Sequence, residues 1–433
     1  MSDYQTNVPR IVVVGGGVAG LALATKLGNK LGKRGRAEIV LVDRNSAHVW
    51  KPMLHTFAAG TSNVYQEKIS YLAHAAKHGF GFVLGTLGAI DHVRRKVVLA
   101  PLLSDDGCLL LEQREVDYDY LILAGGSRAN DFATPGIAEN CHFIDDLNEA
   151  KSFNGSLYGQ LIRAIEYKIP LNVAIVGGGA TRVELAAELH QLMKIAEGYG
   201  RRMRPEINIT LIESGPRILA AFPEKVAAAA TRELSNLSID VRVGTRVVAA
   251  DQQGYVIADG SRVDASLRVW AAGVKAPDAF SKLLDLAHSR SGQIVVDTRL
   301  MAAGSERIFA VGDCSNLALD GVDRPLPPTA QVARQQALHL ARYLPEFLEG
   351  KKIPAFVFRD FGSLVSLGKY NAFGTLGRRG LYQGGFIQGQ FARLSHAALY
   401  RLHQIELHGF AGASLLWLSG LIALPVRPSV RTD

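Results

Sequence analysis

Short runs of consecutive apolar, largely β-branched residues recur along the chain, and each ends in glycine or an acid. The first run, Ile11–Val14, precedes the glycine cluster Gly15–Gly17, and a helical apolar pattern begins at Leu21. A continuous apolar run of this length is typical of a strand buried on both faces in a parallel sheet. The pattern therefore predicts strand, tight turn and helix in succession.

The first glycine cluster has the spacing of a dinucleotide-binding turn. Gly15 permits the turn, Gly17 lets the backbone approach a pyrophosphate, and Gly20 lets the helix pack on the strand. The helix N-terminus would present N–H groups to the phosphates. The next strand, EIVLVD, ends at Asp43, where a carboxylate can bind a ribose 2′-hydroxyl. Together these features favour a dinucleotide site over an ordinary glycine-rich turn.

The same pattern occurs a second time. Residues 173–189 read VAIVGGGATRVELAAEL, and the strand INITLIE ends at Glu213. Two such units predict an α/β fold with two Rossmann-type domains, typical of flavoprotein reductases that hold FAD and NAD(P)H. Glu213 favours NADH because a carboxylate repels the 2′-phosphate of NADPH, although Arg217 follows closely. The alternative is that Glu213 is a solvated strand end.

Three further strands run into glycine: YDYLILAGG (118–126), VWAAG (269–273) and RIFAVGDCSN (307–316). The last contains Gly312-Asp313. Alone, Asp313 would be interpreted as the cap of the following turn. Beside two Rossmann-type units, we favour an aspartate that faces the ribityl and pyrophosphate region of FAD.

Composition narrows the function. The chain has 433 residues, enough for two or three domains, and its net charge of +8 fits nucleic acid, an anionic membrane or an anionic substrate. Because no aromatic-rich basic tract or zinc-finger spacing occurs, we expect no nucleic-acid partner. The three cysteines form neither a CxxC pair nor a metal-ligand cluster, so we expect no metal site and no local disulfide redox motif.

Several longer motifs resemble the type II NADH:quinone oxidoreductases, single-subunit NADH dehydrogenases of respiratory membranes, and above all their proteobacterial form. The resemblance extends from about residue 9 to 428. Its specific motifs are HVWKPMLHTFAAG (48–60), Val183-Glu184 after the second glycine turn, WAAGVKAPD (270–278), FAVGDCSN (309–316), PPTAQVARQQA (327–337) and FGSLVSLGKYNAFG (361–374).

The resemblance implies sites for both dinucleotides. Non-covalent FAD would be bound by Gly15, Gly16, Gly17, Gly20, Asp43, Lys51, Gly125, Asp313 and Ala330, with Gln331 near the isoalloxazine. NADH would be bound by Gly177, Gly178, Gly179, Glu184, Glu213 and Gly273, with Glu184 close to the nicotinamide.

Quinone, the third substrate that the resemblance implies, would enter from the membrane side near Gln331, Arg334, Gln335 and Lys369. Gln331, Arg334 and Gln335 share one face of a helix that follows Thr329, so they could hydrogen-bond a quinone carbonyl. The implied catalytic residues are Glu184, Gln331 and Gln335. The alternatives are an exposed polar helix face and, for Glu184, an acid that favours a helix N-terminal turn. No proton pumping is expected.

Residues 378–433 are rich in arginine and poor in acids. Arg401 and the Leu415-Leu416-Trp417-Leu418 patch are typical of a helix that lies in an anionic lipid headgroup region. A dimer interface, a core position and a re-entrant or spanning helix are the alternatives. With no signal peptide in MSDYQTNVPR, we expect a peripheral protein on the cytoplasmic face of the bacterial inner membrane.

The expected domains are an FAD domain in two parts (8–150 and 281–347), an NADH domain (151–280) and a C-terminal quinone and membrane-anchoring region (348–433). A different reductase of the same fold is an alternative. A second alternative is a non-catalytic flavoprotein with impaired NADH binding.

Arg182 is the main departure from the family, which has glycine at this position. The arginine could contact the pyrophosphate, obstruct the site and weaken NADH binding, or be merely exposed after a local backbone change. Obstruction predicts that Arg182→Gly lowers the Michaelis constant for NADH.

Overall fold

Buried apolar runs form the central strands of two separate parallel sheets. The computed structural model describes residues 8–62, 68–104, 106–196, 206–283, 286–319, 325–367, 371–376 and 386–423. The helices within these ranges are α1 (Val18–Lys30), α2 (Leu54–Ala58), α3 (Tyr71–His78), α4 (Ile137–Asn140), α5 (Leu147–Tyr167), α6 (Ala180–Ala196), α7 (Glu224–Asn236), α8 (Asp278–Ser281), α9 (Ala330–Phe347) and α10 (Gln390–Ala423).

The strands are all short, with two to six residues each. They are β1 (Arg10–Val14), β2 (Glu38–Asp43), β3 (Ala47–His48), β4 (Ile69–Ser70), β5 (Gly81–Leu84), β6 (Leu87–Asp91), β7 (Lys96–Leu99), β8 (Leu102–Leu103), β9 (Leu109–Leu111), β10 (Arg114–Asp117), β11 (Tyr120–Leu123), β12 (Arg128–Ala129), β13 (Leu171–Val176), β14 (Ile207–Ile212), β15 (Asp240–Arg242), β16 (Val247–Ala250), β17 (Gly254–Ile257), β18 (Arg262–Asp264), β19 (Leu267–Trp270), β20 (Val274–Lys275), β21 (Ile294–Val296), β22 (Ile308–Ala310), β23 (Ser315–Leu317), β24 (Gly362–Leu367), β25 (Asn371–Leu376) and β26 (Phe386–Gln388).

The first unit comprises residues 1–51, 67–128 and 274–358. Its centre is a parallel sheet in the order β22-β11-β1-β2-β5. Val12, at the middle of β1, is fully buried and pairs with Val40 and Leu121 on the two neighbouring strands. Helix α1 packs against β2 and α9. This arrangement confirms the predicted strand, turn and helix of the first glycine cluster.

The second unit comprises residues 52–66, 129–273 and 359–433. Its parallel sheet has the order β15-β14-β13-β19, and Val173 of β13 pairs with Ile209 and Leu267. Helix α6 packs against β13 and β14, as the second glycine cluster predicted. Strand β24, an edge strand of the antiparallel sheet β24-β25-β26, also packs against this helix.

The unit boundaries differ from those expected at residues 150, 280 and 347. Residues 129–150 belong to the second unit because His142 pairs with Val269 of β19, and because α5 packs against β13 and β19. The chain from residue 359 also belongs to the second unit, since β24 packs on α6 and α10 packs on β24 and β25. The C-terminal part is therefore not a separate body.

Candidate active site

The first glycine loop has the close contacts that its spacing predicted. Gly15 has φ +104°, and its N–H donates to the Val42 carbonyl at 2.8 Å. A Cβ atom built on Gly20 would lie 1.8 Å from the Gly15 oxygen, so no larger residue fits there. A Cβ atom built on Gly17 would meet no described atom within 4 Å. Gly17 is thus the open side of the loop, where a pyrophosphate can approach the start of α1.

Asp43 closes this loop from the end of β2. Its Oδ2 accepts a hydrogen bond from the Gly16 N–H at 2.6 Å, and its Oδ1 accepts one from the Asn45 N–H at 2.7 Å. Burial raises the pKa of Asp43, while these two N–H groups oppose the rise. The carboxylate predicted for a ribose therefore also orients the glycine loop.

Tyr71 and His48 also hold this loop, although neither was predicted as a site residue. Tyr71 Oη donates to the Gly16 carbonyl at 2.7 Å, and His48 Nδ1 lies 2.9 Å from the same oxygen. A Cβ atom on Gly16 would lie 2.4 Å from the Tyr71 ring. Burial lowers the pKa of His48 to about 4, so the ring is neutral at physiological pH.

Lys51 and Asp313, predicted for FAD, are linked through Ser127. Lys51 Nζ donates to the Ser127 carbonyl at 2.8 Å, and Ser127 Oγ donates to Asp313 Oδ2 at 2.7 Å. The Asp313 carboxylate thus binds a hydroxyl far away in the sequence, which disfavours the simple capping interpretation. These distant parts of the chain therefore meet in one polar cluster.

The N-terminus of α9 lies against the Gly312 turn. A Cβ atom on Gly312 would lie 3.3 Å from Ala333 of α9 and 3.7 Å from Ala19 of α1, so the starts of both helices converge there. The Gly312 N–H donates to Gln336 Oε1 at 2.7 Å. Ala330 is the first residue of α9, whose N-cap is Thr329. Two helix N-termini with open backbone beside Asp313 fit an FAD pyrophosphate.

The three residues of the proposed quinone face do share one side of α9. Gln331, Arg334 and Gln335 are partly exposed, whereas Val332, Ala333 and Gln336 are buried. Lys369 lies outside the described residues. Gly125, predicted for FAD, packs so closely that a Cβ atom would lie 2.2 Å from the Phe280 ring.

The second glycine loop repeats the first. Gly177 has φ +116° and donates to the Ile212 carbonyl at 2.8 Å. Glu213 accepts hydrogen bonds from the Gly178 and Gly215 N–H groups, both at 2.6 Å. Glu213 is therefore not merely a solvated strand end. Gly273, with φ +63°, lies against the Phe132 ring.

Arg182 is only partly exposed, which contradicts the third interpretation, a merely exposed side chain. A Cβ atom built on Gly179 would lie 3.5 Å from Arg182 Nη1, so the guanidinium lies over the loop. Burial lowers the pKa of Arg182, and Asp145 and Glu213 oppose this shift.

Glu184 is a buried acid near the start of α6, directly after the second loop. Its Oε1 accepts a hydrogen bond from the Ser366 N–H of β24 at 2.9 Å, and its Oε2 lies 3.8 Å from His55 Nδ1. Glu184 and His55 are 6% and 4% exposed. Burial raises the pKa of Glu184 to about 8, the Ser366 N–H opposes the rise, and Glu188 adds to it. Since perturbed carboxyls cluster at functional sites, this geometry supports more than a helix-start preference.

The C-terminal helix exposes an unusual apolar surface. Gly409, with φ 74° and ψ 167°, breaks α10 into two segments. After the break, Phe410, Leu415, Leu416, Trp417, Leu418 and Ile422 are all 40% exposed or more. We name these six residues the C-terminal apolar face. Before the break, Arg401 donates to Gln404 at 2.6 Å. Among the described residues, no helix is both long and apolar enough to cross a membrane.

The cysteines do not form a redox pair at the FAD-type site. Cys108 is exposed, Cys141 is partly buried and Cys314 is fully buried. Burial raises the pKa of Cys314 to about 12, although the Gly125 and Gly126 N–H groups oppose this rise. A thiol with this pKa is not a nucleophile at neutral pH. The described residues contain no group of acids, histidines and cysteines that could hold a metal ion.

Comparisons with known proteins agree with this architecture. Residues 9–337 match the family described as pyridine nucleotide-disulphide oxidoreductase. A type II NADH:quinone oxidoreductase of Haemophilus influenzae is 37% identical over 97% of this chain and 99% of its own.

Two solved structures share the fold at low identity. The NDH2 of Plasmodium falciparum in complex with NADH has a TM-score of 0.82 at 19% identity and covers 98% of this chain and 100% of its own. The sulfide:quinone oxidoreductase of Aquifex aeolicus has a TM-score of 0.72 at 18% identity and covers 93% of this chain and 92% of its own. The fold is thus shared by several activities, and sequence similarity distinguishes among them. The chain belongs to the pyridine nucleotide-disulphide oxidoreductase family and, within it, to the type II NADH:quinone oxidoreductases.

Proposed function

We propose that this chain oxidises NADH and reduces a membrane quinone to quinol, with non-covalent FAD as its redox group and without proton pumping. The observation that carries the proposal is the similarity to a type II NADH:quinone oxidoreductase along nearly the whole chain. Bound FAD supplies the chemistry, which is hydride acceptance from the nicotinamide and electron transfer to quinone. The protein supplies binding, orientation and control of protons.

FAD fits the first unit. The open backbone at Gly17 and the two converging helix starts would bind the pyrophosphate. Asp43 would bind the adenosine ribose, and the cluster of Lys51, Ser127 and Asp313 would hold the ribityl region. Ala330 and Gln331 would lie near the isoalloxazine.

NADH fits the second unit. Its glycine loop and Glu213 repeat the geometry of the first loop, with the acid again bonded to the glycine N–H. We assign Gly177, Gly178, Gly179, Glu213 and Gly273 to NADH binding. Gln331, Arg334, Gln335 and Lys369 would bind the quinone, with Gln331 and Gln335 also in contact with reacting groups.

Glu184 is our candidate for proton control. A carboxyl whose pKa is about 8 is mostly protonated at pH 7. Quinone reduction to quinol consumes two protons, so a buried neutral acid could donate one of them. His55 Nδ1 lies 3.8 Å from Glu184 Oε2, so the two side chains form a buried pair.

The C-terminal apolar face would hold the protein on an anionic lipid surface, at the cytoplasmic face of the bacterial inner membrane. Its exposed leucines and Trp417 suit the headgroup region, and Arg401 would add attraction to anionic lipid. A homodimer through this face is the competing occupant. We expect Trp417→Ser with Leu415→Ser to abolish sedimentation with phosphatidylglycerol vesicles. The control Leu72→Ser replaces an exposed leucine on α3 and should sediment as the native protein does. If the double variant still sedimented with vesicles but no longer formed a dimer, the result would favour a homodimer through this face.

The direct test of the activity is anaerobic mixing of the purified protein with NADH while the visible flavin absorbance is followed. We expect rapid bleaching, reversed by a soluble quinone analogue. A yellow protein that stays yellow would refute NADH oxidation and favour a non-catalytic flavoprotein.

A further inference from the structure

The two glycine loops differ at the third glycine position. In the first loop a Cβ atom on Gly20 would lie 1.8 Å from the Gly15 oxygen. The second loop accommodates a complete side chain, Arg182, at the matching position, while α6 still begins directly after Gly179. The arginine therefore adds a side chain to the loop, and the helix that follows the loop still forms.

The side chain of Arg182 occupies the space that the first loop leaves open. A Cβ atom built on Gly17 meets no described atom within 4 Å. A Cβ atom built on the matching Gly179 would lie 3.5 Å from Arg182 Nη1 and 3.9 Å from Arg182 Cδ. In dinucleotide-binding turns this is where the backbone approaches the pyrophosphate. The guanidinium therefore lies where the phosphates of a bound dinucleotide would be.

Arg182 is incompletely paired. Asp145 and Glu213 interact with it electrostatically, but both acids accept backbone hydrogen bonds, Asp145 from the Ala129 N–H at 2.5 Å and Glu213 from the loop. Arg182 Nε is buried and has no hydrogen-bond partner among the described residues. A buried N–H group of a guanidinium that lacks a hydrogen-bond partner is costly, and an anion that accepts its hydrogen bond removes that cost.

We propose that Arg182 binds the pyrophosphate of the second dinucleotide, so that a charge-assisted hydrogen bond supplements the N–H groups at the start of α6. The proposal rests on the proposed NADH site. Guanidinium groups suit phosphate oxygens because their planar N–H groups can donate two parallel bonds. The flexible side chain swings from above Gly179 to the flank of the phosphates, and the loop backbone then becomes accessible.

The test measures binding, not turnover. The dissociation constant of ADP-ribose, which carries the pyrophosphate but no nicotinamide, is determined by calorimetry with the full-length, FAD-loaded protein. Native protein is compared with Arg182→Gly, Arg182→Gln and Arg182→Lys. The control Arg163→Gln removes the same charge from an exposed position on α5 of the same unit. Adenosine, which has no phosphate, is measured by competition.

We expect Arg182→Gly and Arg182→Gln to weaken ADP-ribose binding by about tenfold or more, while Arg182→Lys retains part of the affinity. The affinity for adenosine should be the same in all variants. Arg163→Gln should bind ADP-ribose as tightly as the native protein does. Added salt should weaken ADP-ribose binding more in the native protein than in Arg182→Gln.

Two results would overturn the proposal. Tighter ADP-ribose binding by Arg182→Gly would show that the arginine obstructs the site, and equal binding by all variants would show that it does not touch the phosphates. If the native protein bound neither ADP-ribose nor NADH, the proposed NADH site itself would fail. Retained FAD absorbance confirms that each variant is folded.

Discussion

Glu184→Gln should change how the stability of the protein depends on pH. A rise of the Glu184 pKa from 4.5 to about 8 is about 3.5 pH units, or about 5 kcal/mol at 1.36 kcal/mol per unit. The folded state binds this proton more tightly than the unfolded state. The stabilisation is therefore complete below pH 4.5 and is lost as the pH rises towards 8. Glutamine has nearly the same shape and does not titrate.

The assay is urea unfolding of native and Glu184→Gln protein at saturating FAD, from pH 5 to pH 9. Glutamine should gain stability relative to the native protein as the pH rises, by up to about 4 kcal/mol between pH 5 and pH 8. The gain should level off above about pH 8, where the native carboxylate is ionised in both states.

Glu188→Gln provides the matched control. Glu188 adds to the rise of the Glu184 pKa, so Glu188→Gln should lower that pKa without restoring its ordinary value. In the Glu188→Gln background, the stability that Glu184→Gln gains with rising pH should therefore level off at a lower pH. A stability difference between Glu184→Gln and native protein that is constant from pH 5 to pH 9 would refute the buried, neutral acid. It would also remove the physical basis for Glu184 as a proton donor.

Three other predictions concern the first unit. Gly20→Ala should abolish FAD retention through gel filtration, because its Cβ atom would lie 1.8 Å from the Gly15 oxygen, and normal retention would show that the loop can relax. Tyr71→Phe should keep FAD but raise its dissociation constant by about tenfold, measured by fluorescence, because it loses the hydrogen bond to the loop carbonyl; an unchanged constant would mean that the bond is dispensable. Iodoacetamide at pH 8 should label exposed Cys108 and spare Cys314, whose thiol has a pKa of about 12, in peptide mass spectra; rapid labelling of Cys314 would contradict its burial.

The sequence predicted the two glycine loops because their determinants are local. Strand, turn, helix and acid all lie within about 40 residues, and each has a recognisable residue type. The partners that hold the loops could not be predicted in this way. Tyr71 reaches Gly16 across 55 positions, and Ser127 reaches Asp313 across 186. Both bonds depend on the tertiary structure, and neither residue belongs to a local pattern.

Helical periodicity also predicts a buried polar contact for Gln336. Helical periodicity places Gln331, Arg334 and Gln335 on one face of α9, and this was predicted. The same periodicity places Gln336 with Val332 on the opposite, apolar face. A buried amide must find a partner, so Gln336 had to meet a polar group of the core. The structure supplies the Gly312 N–H, directly before Asp313.

The near-identity of the two loops makes Arg182 informative. Each loop ends a buried strand, each precedes a helix, and each has an acid that accepts the N–H of its middle glycine at 2.6 Å. The positive φ of the first glycine and the geometry of the acid are therefore matched within one molecule. At the third glycine position, Arg182 in place of Gly20 puts a cation where the first loop has only helix dipole and N–H groups. Arg182 should therefore add to the salt dependence of the second dinucleotide site, because the first loop has no charged side chain at the matching position.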